Sequence, residues 1–177
     1  MGILKNKKGF TLVELLAVIV VLAAVMLMAV NSVLPLIGEA RTGAFATSVN
    51  QGIDSVSSVI LSDNLKGNNI QCYSFKYLIE NGYLTKIEAA NAEKTRGYDG
   101  IIVIDKGSAT NANSYKYSTY VVDYSNGYYY AGTGLPAGTI SGDDIQTYDT
   151  TKAFYSTCAE YNEANNMNWT VGSNYND

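Results

Sequence analysis

The chain has 177 residues and a formal net charge of −4, from 12 lysines and arginines against 16 aspartates and glutamates, and it contains no histidine. This length suits one globular domain behind an N-terminal segment. The missing histidine removes the commonest general base and the commonest zinc ligand, and the scattered cations disfavour nucleic-acid binding. No phosphate-binding loop, nucleophile elbow or metal-ligand spacing occurs, so we expect neither an enzyme nor a protein with a cofactor or metal.

The first 30 residues carry the most informative pattern. Lysines at positions 5, 7 and 8 precede Gly9-Phe10, and every residue from 15 to 30 is apolar. As a helix, residues 10–30 would be about 31 Å long, one hydrocarbon thickness. Glu14 lies inside this stretch, where an ionised side chain that faces lipid costs about 2.5 to 3.5 kcal/mol. The pattern predicts a membrane-spanning helix whose acid has a cationic partner.

The residues KKGFTLVE at positions 7–14 closely resemble the start of type IV prepilins, whose short basic leader ends in glycine before phenylalanine. The resemblance implies that a prepilin peptidase cuts between Gly9 and Phe10 and that the new Phe10 amine is methylated. It also implies that Glu14 meets a Phe10 amine as subunits join. The charges fit this independently, because opposite charges attract far more strongly in an apolar setting than in water.

Two other interpretations of this segment stay open. A secretory signal peptide also has a basic start and an apolar core, but this core is longer than the usual 7 to 15 residues, contains Glu14 and ends without an A-x-A site. A simple signal anchor explains the length and the lysines by the positive-inside rule. It does not explain why Gly9-Phe10 and Glu14 are present.

The predicted helix continues beyond the apolar stretch. Four apolar residues follow helical spacing and should bury one face, namely Val49, Ile53, Val56 and Ile60. We therefore expect one helix from Phe10 to about residue 61, apolar throughout its first half and amphipathic in its second. The expected organisation is a leader at residues 1–9, a transmembrane and polymerisation helix at 10–37 and a globular head at 38–177, with the amphipathic helix reaching about residue 62.

The head is predicted to combine a short helix with an antiparallel sheet. Ser74 is a candidate N-cap for a second helix, which Asn81-Gly82 would end. Residues 100–104 and 115–124 favour strands, and Asn126-Gly127 suits a two-residue type I′ turn into a strand at 128–131. These elements predict an antiparallel meander and an α+β fold.

The C-terminal part gives weaker signals. Residues 150–158 are a candidate strand, and the asparagine-rich residues 160–177 favour a loop or a frayed tail. Fifteen tyrosines, eight of them between Tyr98 and Tyr130, could form an aromatic electron path or an adhesive surface. Sheet packing explains them more simply, because tyrosine favours strands and buries a large ring.

Two further residue pairs are candidate sites. Cys72 and Cys158 are 86 residues apart. In an exported domain we expect them to form one disulfide, the alternative being two buried thiols. Asp143 and Asp144 could offer oxygens to calcium, as a loop does in major pseudopilins of type II secretion, but calcium needs about six to eight oxygens. An ordinary solvated loop explains this pair, and we expect no metal.

The resemblance favours a structural pilin subunit that polymerises through its N-terminal helix into a surface filament for adhesion, motility or DNA uptake. Its partners would be copies of itself, prepilin peptidase and the membrane assembly machinery, and it would lie in the cytoplasmic membrane before assembly. A pseudopilin of a type II secretion or competence system is the first alternative. A membrane-tethered binding module that never polymerises is the second. The sequence does not distinguish a major from a minor subunit or identify the surface bound.

Overall fold

The computed structural model of the chain describes residues 9–85, 97–108 and 114–177. The chain divides into two compact units, Met1–Ala40 and Arg41–Asp177. Helix α1 (Leu12–Leu65) begins in the first unit and ends in the second, which contains all the other elements.

Helix α1 changes character along its length. Residues 9–41 are all exposed, whereas one face is buried from Phe45 onwards. The predicted stripe is confirmed, because Val49, Ile53, Val56 and Ile60 are at most 2% exposed. Pro35 lies inside the helix without ending it.

The helix ends at Leu65 rather than near residue 61. A Schellman motif ends it there: Gly67 has a left-handed φ of +81°, and its amide donates to the Asn64 carbonyl at 3.1 Å. The amide of Asn68 donates to the Asp63 carbonyl at 3.0 Å. These bonds satisfy carbonyls that the helix itself leaves free.

In the described part of the chain, six strands form one sheet in the order β5-β4-β3-β2-β1-β6. Their bounds are β1 (Cys72–Ser74), β2 (Tyr98–Asp105), β3 (Lys116–Asp123), β4 (Tyr128–Leu135), β5 (Gln146–Thr147) and β6 (Tyr175–Asn176). Neighbours pair antiparallel except β1 and β6, which are parallel. The predicted meander is confirmed as β2-β3-β4, but the sheet as a whole is mixed.

Helix α2 (Phe75–Glu80) is the predicted short second helix. Its predicted cap is present, because the Ser74 hydroxyl accepts a hydrogen bond from the Tyr77 amide at 3.0 Å. Gly82, with a φ of +73°, follows the helix as expected. The α+β fold class is confirmed.

Two predictions for the C-terminal part are wrong. Residues 150–158 form no strand and lead instead into helix α3 (Cys158–Asn165). A capping box starts this helix, since Thr157 Oγ1 accepts from the Glu160 amide at 3.2 Å and the Glu160 carboxylate accepts from the Thr157 amide at 3.4 Å. Residues 160–177 are not a frayed tail, because they include most of α3 and the strand β6.

The predicted two-residue hairpin turn is also wrong. Asp123 pairs with Tyr128, so the loop between β3 and β4 has four residues. A type I′ turn needs positive φ at both central residues, but only Gly127 of Asn126-Gly127 has it. The buried carboxylate of Asp123 reshapes the loop by accepting hydrogen bonds from the amides of Ser125 at 2.9 Å and Asn126 at 3.2 Å.

Both faces of the sheet are covered. One face packs against the amphipathic part of α1 through a core that includes Phe45, Val49, Ile53, Ile102, Tyr117 and Val121. Gly52 allows this close packing, since a Cβ there would lie 2.8 Å from the Phe75 ring. The other face packs against the C-terminal segment through Cys72, Ile101, Val103, Cys158 and Tyr175.

We expect Asp123→Ala to lower the free energy of unfolding by about 1 to 3 kcal/mol, because two loop amides and the Asn126 side chain lose a buried acceptor. Asp149→Ala is a matched control, since Asp149 binds the Thr151 amide in a similar way but is exposed. Urea unfolding of the detergent-solubilised chain measures both. Equal losses in the two variants would contradict the role given to Asp123.

Candidate functional site

From Leu15 to Val30, helix α1 presents an uninterrupted apolar surface. An 18-residue window of this helix has a mean hydropathy of 2.9, and none of that window is buried. Its exposed side chains include Leu15, Leu16, Ile19, Leu22, Met26 and Leu27. The helix is long and apolar enough to cross a membrane.

Glu14 lies in the first turn of α1 and is tied to Thr11. Oε2 of Glu14 accepts hydrogen bonds from the Thr11 amide at 2.9 Å and from the Thr11 hydroxyl at 2.8 Å. In return, the Glu14 amide donates to Thr11 Oγ1 at 3.3 Å. The first helical backbone bond runs from the Leu15 amide to the Thr11 carbonyl at 3.2 Å. Together these contacts are a capping box with Thr11 as the N-cap.

Sequence reasoning missed the role of Thr11. The signal was present, because a threonine followed three residues later by a glutamate, just before an apolar run, is the pattern of a capping box. We interpreted Glu14 only as a partner for an amine. The structure gives it a partner within its own chain as well.

Gly9 and Phe10 precede the capped helix and are not helical. Phe10 is 89% exposed, and a Cβ added to Gly9 would meet no other atom within 4 Å. Packing within the described chain therefore places no limit on the size of residue 9.

Residues 4–30 match the prokaryotic N-terminal methylation motif. The chain carries a type IV prepilin signal peptide. The matched residues include Gly9-Phe10, the capping box and most of the apolar helix, so the prepilin signal and the exposed surface of α1 are one continuous feature.

The prepilin signal and the apolar helix together indicate membrane anchoring. The motif belongs to pilin-type structural proteins rather than to an enzyme family. Neither the curated proteins nor the solved structures compared with this chain give a match.

Cys72 and Cys158 lie at disulfide distance, with their sulfur atoms 2.06 Å apart and their Cα atoms 5.9 Å apart. Both residues are fully buried. Cys72 is in β1 and Cys158 is the first residue of α3. The pair thus connects the sheet to the third helix, since the strand predicted at residues 150–158 does not form.

Asp143 and Asp144 lie in a short 3-10 helix, and Asp144 forms a capping box with Ser141 at its start. Its Oδ2 accepts hydrogen bonds from the Ser141 amide at 2.8 Å and from the Ser141 hydroxyl at 2.9 Å. These bonds lower the pKa of Asp144. Within the described part of the chain, no group of three or more histidine, cysteine or acidic residues could hold a metal.

The tyrosines of the sheet serve packing on both of its faces. Tyr117 and Tyr130 belong to the core against α1, while Tyr120 packs on the opposite face. Burial raises the pKa of Tyr130 to about 12, with a smaller contribution from Asp144. Burial likewise raises the pKa of Tyr73, whose hydroxyl donates to Asp63 at 2.6 Å.

We expect the two cysteines to be oxidised in the exported protein, so that an alkylating reagent labels neither thiol after denaturation without reductant. Reduction should lower the free energy of unfolding by about 4 kcal/mol, because the bond closes a long loop in the unfolded chain. Mass spectrometry of the alkylated chain, with a reduced sample as control, checks the first expectation. Complete labelling of both thiols without reductant would show that no bond forms.

Proposed function

We propose that this chain is a pilin-type subunit that prepilin peptidase processes between Gly9 and Phe10 and that then polymerises through α1 into a surface filament. The observation that carries the proposal is the methylation motif at residues 4–30, which overlaps an apolar helix whose side chains are exposed. We assign residues 1–9 to the leader, 10–37 to the transmembrane and polymerisation segment and 38–177 to the head.

The exposed apolar surface supports polymerisation. Burial of one valine, leucine or isoleucine contributes about 1.5 to 3 kcal/mol, and α1 exposes many such side chains before Ala40. Lipid covers this surface while the subunit is in the membrane. Once the subunit leaves the membrane, packing against the α1 helices of other subunits buries these side chains again along the whole segment.

The free oxygen of Glu14 supports its pairing with an amine. Thr11 occupies Oε2, and Oε1 accepts no hydrogen bond from any residue that the structure describes. Cleavage would create a positive amine on Phe10, a few residues away in the sequence. In the apolar interior of a filament, each charge would need the other, because an unpaired buried charge costs several kcal/mol.

Pairing between subunits sets the register of the filament in this account. The Phe10 amine of an incoming subunit would bind Glu14 of a neighbour while the apolar helices pack together. Methylation of that amine leaves its positive charge in place. The head remains outside the apolar bundle, and the disulfide would link its sheet to α3 on the side away from α1.

The same motif also serves pseudopilins of secretion or competence systems, which assemble by the same chemistry. Filament length and location distinguish that alternative from a surface pilus. A tethered binding module is the alternative from another class, and an uncut N-terminus in the exported protein would favour it.

We expect the mature protein to begin at Phe10 with one added methyl group on its amine. Gly9→Ala should still be cut, whereas Gly9→Leu should remain uncut because the peptidase requires a small residue there; packing among the described residues does not oppose either change. Intact mass and N-terminal peptide mass spectrometry check all three proteins. Recovery of the wild-type surface protein with residues 1–9 attached would refute the processing step.

We expect Glu14→Gln to abolish filaments without changing the fold of the head. The substitution removes the charge, so that each subunit joining the filament buries an unpaired amine at a cost of about 3 to 5 kcal/mol. Counts of sheared filaments by electron microscopy, with membrane protein levels by immunoblot, measure the effect. Asp54→Asn is the control, since it removes an exposed acid from the amphipathic part of the same helix. Wild-type filament numbers in Glu14→Gln would contradict the register role.

A further inference from the structure

The capping box holds the start of α1 at a fixed place. Gly9, Phe10 and Thr11 are not helical, and Leu12 is the first residue of the helix. The Thr11 hydroxyl has two bonds in this turn, one accepted from the Glu14 amide and one donated to Glu14 Oε2. An N-cap residue marks a helix start because its side chain replaces a backbone partner that the first turn lacks.

This fixed start lies next to the bond that the proposed processing breaks. Two peptide bonds separate Gly9-Phe10 from the first helical residue, and the Phe10 side chain is almost fully exposed. A peptidase needs an accessible, non-helical backbone around the bond that it cuts. The match of residues 4–30 to the methylation motif covers the same segment and supports the processing proposed above.

We infer that Thr11 is a positioning residue for the cleavage of Gly9-Phe10, because its capping of α1 keeps this bond outside the helix at a constant distance from the membrane-spanning segment. The inference rests on the processing proposed above. Thr11 does not touch the reacting atoms in this account; it acts through the helix start.

Loss of the cap changes the position of the bond in either of two ways. The helix can extend towards Phe10, which encloses the bond in helical structure, or its first turn can fray, which leaves the bond at no fixed distance from the helix. Both changes reduce the fraction of chains in which the peptidase can bind the Gly9-Phe10 bond. The apparent affinity of the chain for the peptidase falls in proportion to this fraction.

Glu14 would then act twice, through different atoms. Its Oε2 completes the cap before cleavage, and its Oε1 is available for an amine after cleavage. The hydroxyl of Thr11 contributes only to the first step. Substitution of Thr11 therefore separates helix positioning from charge pairing, which substitution of Glu14 alone cannot do.

The test compares the cleavage of full-length variants by purified prepilin peptidase in detergent micelles. Thr11→Val keeps the shape of the side chain but removes the hydroxyl, and Thr11→Ser restores a capping hydroxyl. Thr47→Val is the matched control, because Thr47 is an exposed threonine inside α1 whose hydroxyl donates to the Gly43 carbonyl and caps nothing. Backbone chemical shifts of residues 9–15 in the uncut proteins report where the helix starts.

We expect the initial cleavage rate of Thr11→Val to fall about fivefold, the factor that a typical lost N-cap represents, with a changed helix start. Thr11→Ser and Thr47→Val should be cut at nearly the wild-type rate. Cleavage of Thr11→Val as fast as wild type, or cleavage of Thr11→Ser as slow as Thr11→Val, would overturn the inference and leave the processing proposal intact. Failure of the peptidase to cut the wild-type chain would instead refute the processing proposal itself.

Discussion

The apolar surface in the first part of α1 is the constraint on which the functional account depends. The described chain buries none of the most apolar window of this helix, although one face of the same helix is fully packed from Phe45 onwards. A surface of this kind is stable only when lipid or other apolar groups cover it, because its exposure to water opposes the hydrophobic effect along the whole segment. A chain with such a helix therefore needs a membrane or other apolar groups around that helix.

Glu14 places a charged side chain in this otherwise apolar surface. An apolar helix alone can slide or rotate against its neighbours at little cost, since one valine or leucine contact resembles another. A single carboxylate in apolar surroundings permits only the arrangements that supply a partner for it. Thr11 supplies one inside the chain, and its bonds to Oε2 leave Oε1 for an amine. In the proposed filament, the same side chain would define both where the helix starts and how the subunits align.

Local signals in the sequence were enough to predict α1, α2 and the central meander. The stripe from Val49 to Ile60, the cap at Ser74 and the strand-favouring residues of β2 and β3 each depend on near neighbours. The turn after β3 was missed because the buried Asp123 carboxylate binds the loop amides and overrides the preference of Asn126-Gly127. Helix α3 was not predicted, although Thr157 and Glu160 have the sequence spacing of a capping box.

Strand β6 could not be predicted from its own residues. Tyr175 and Asn176 are too short a segment to show an alternating strand pattern, and they are ordered by parallel pairing with β1, about a hundred residues away in the chain. The buried contact between Cys72 and Cys158 holds the same region together. Of the candidate site, Gly9, Phe10 and Glu14 were predicted through the motif. The capping box of Thr11 and Glu14 was recognised from the hydrogen bonds of the first turn, although its residue pattern is also present in the sequence.

Cryo-electron microscopy of filaments sheared from the cell surface tests the central claim most directly. The account predicts a core of packed α1 helices that starts at Phe10, with the amine of each subunit within about 4 Å of the Glu14 carboxylate of a neighbour, the range of an ion pair. A filament in which Glu14 faces solvent, or one whose core contains no α1 helices, would contradict it.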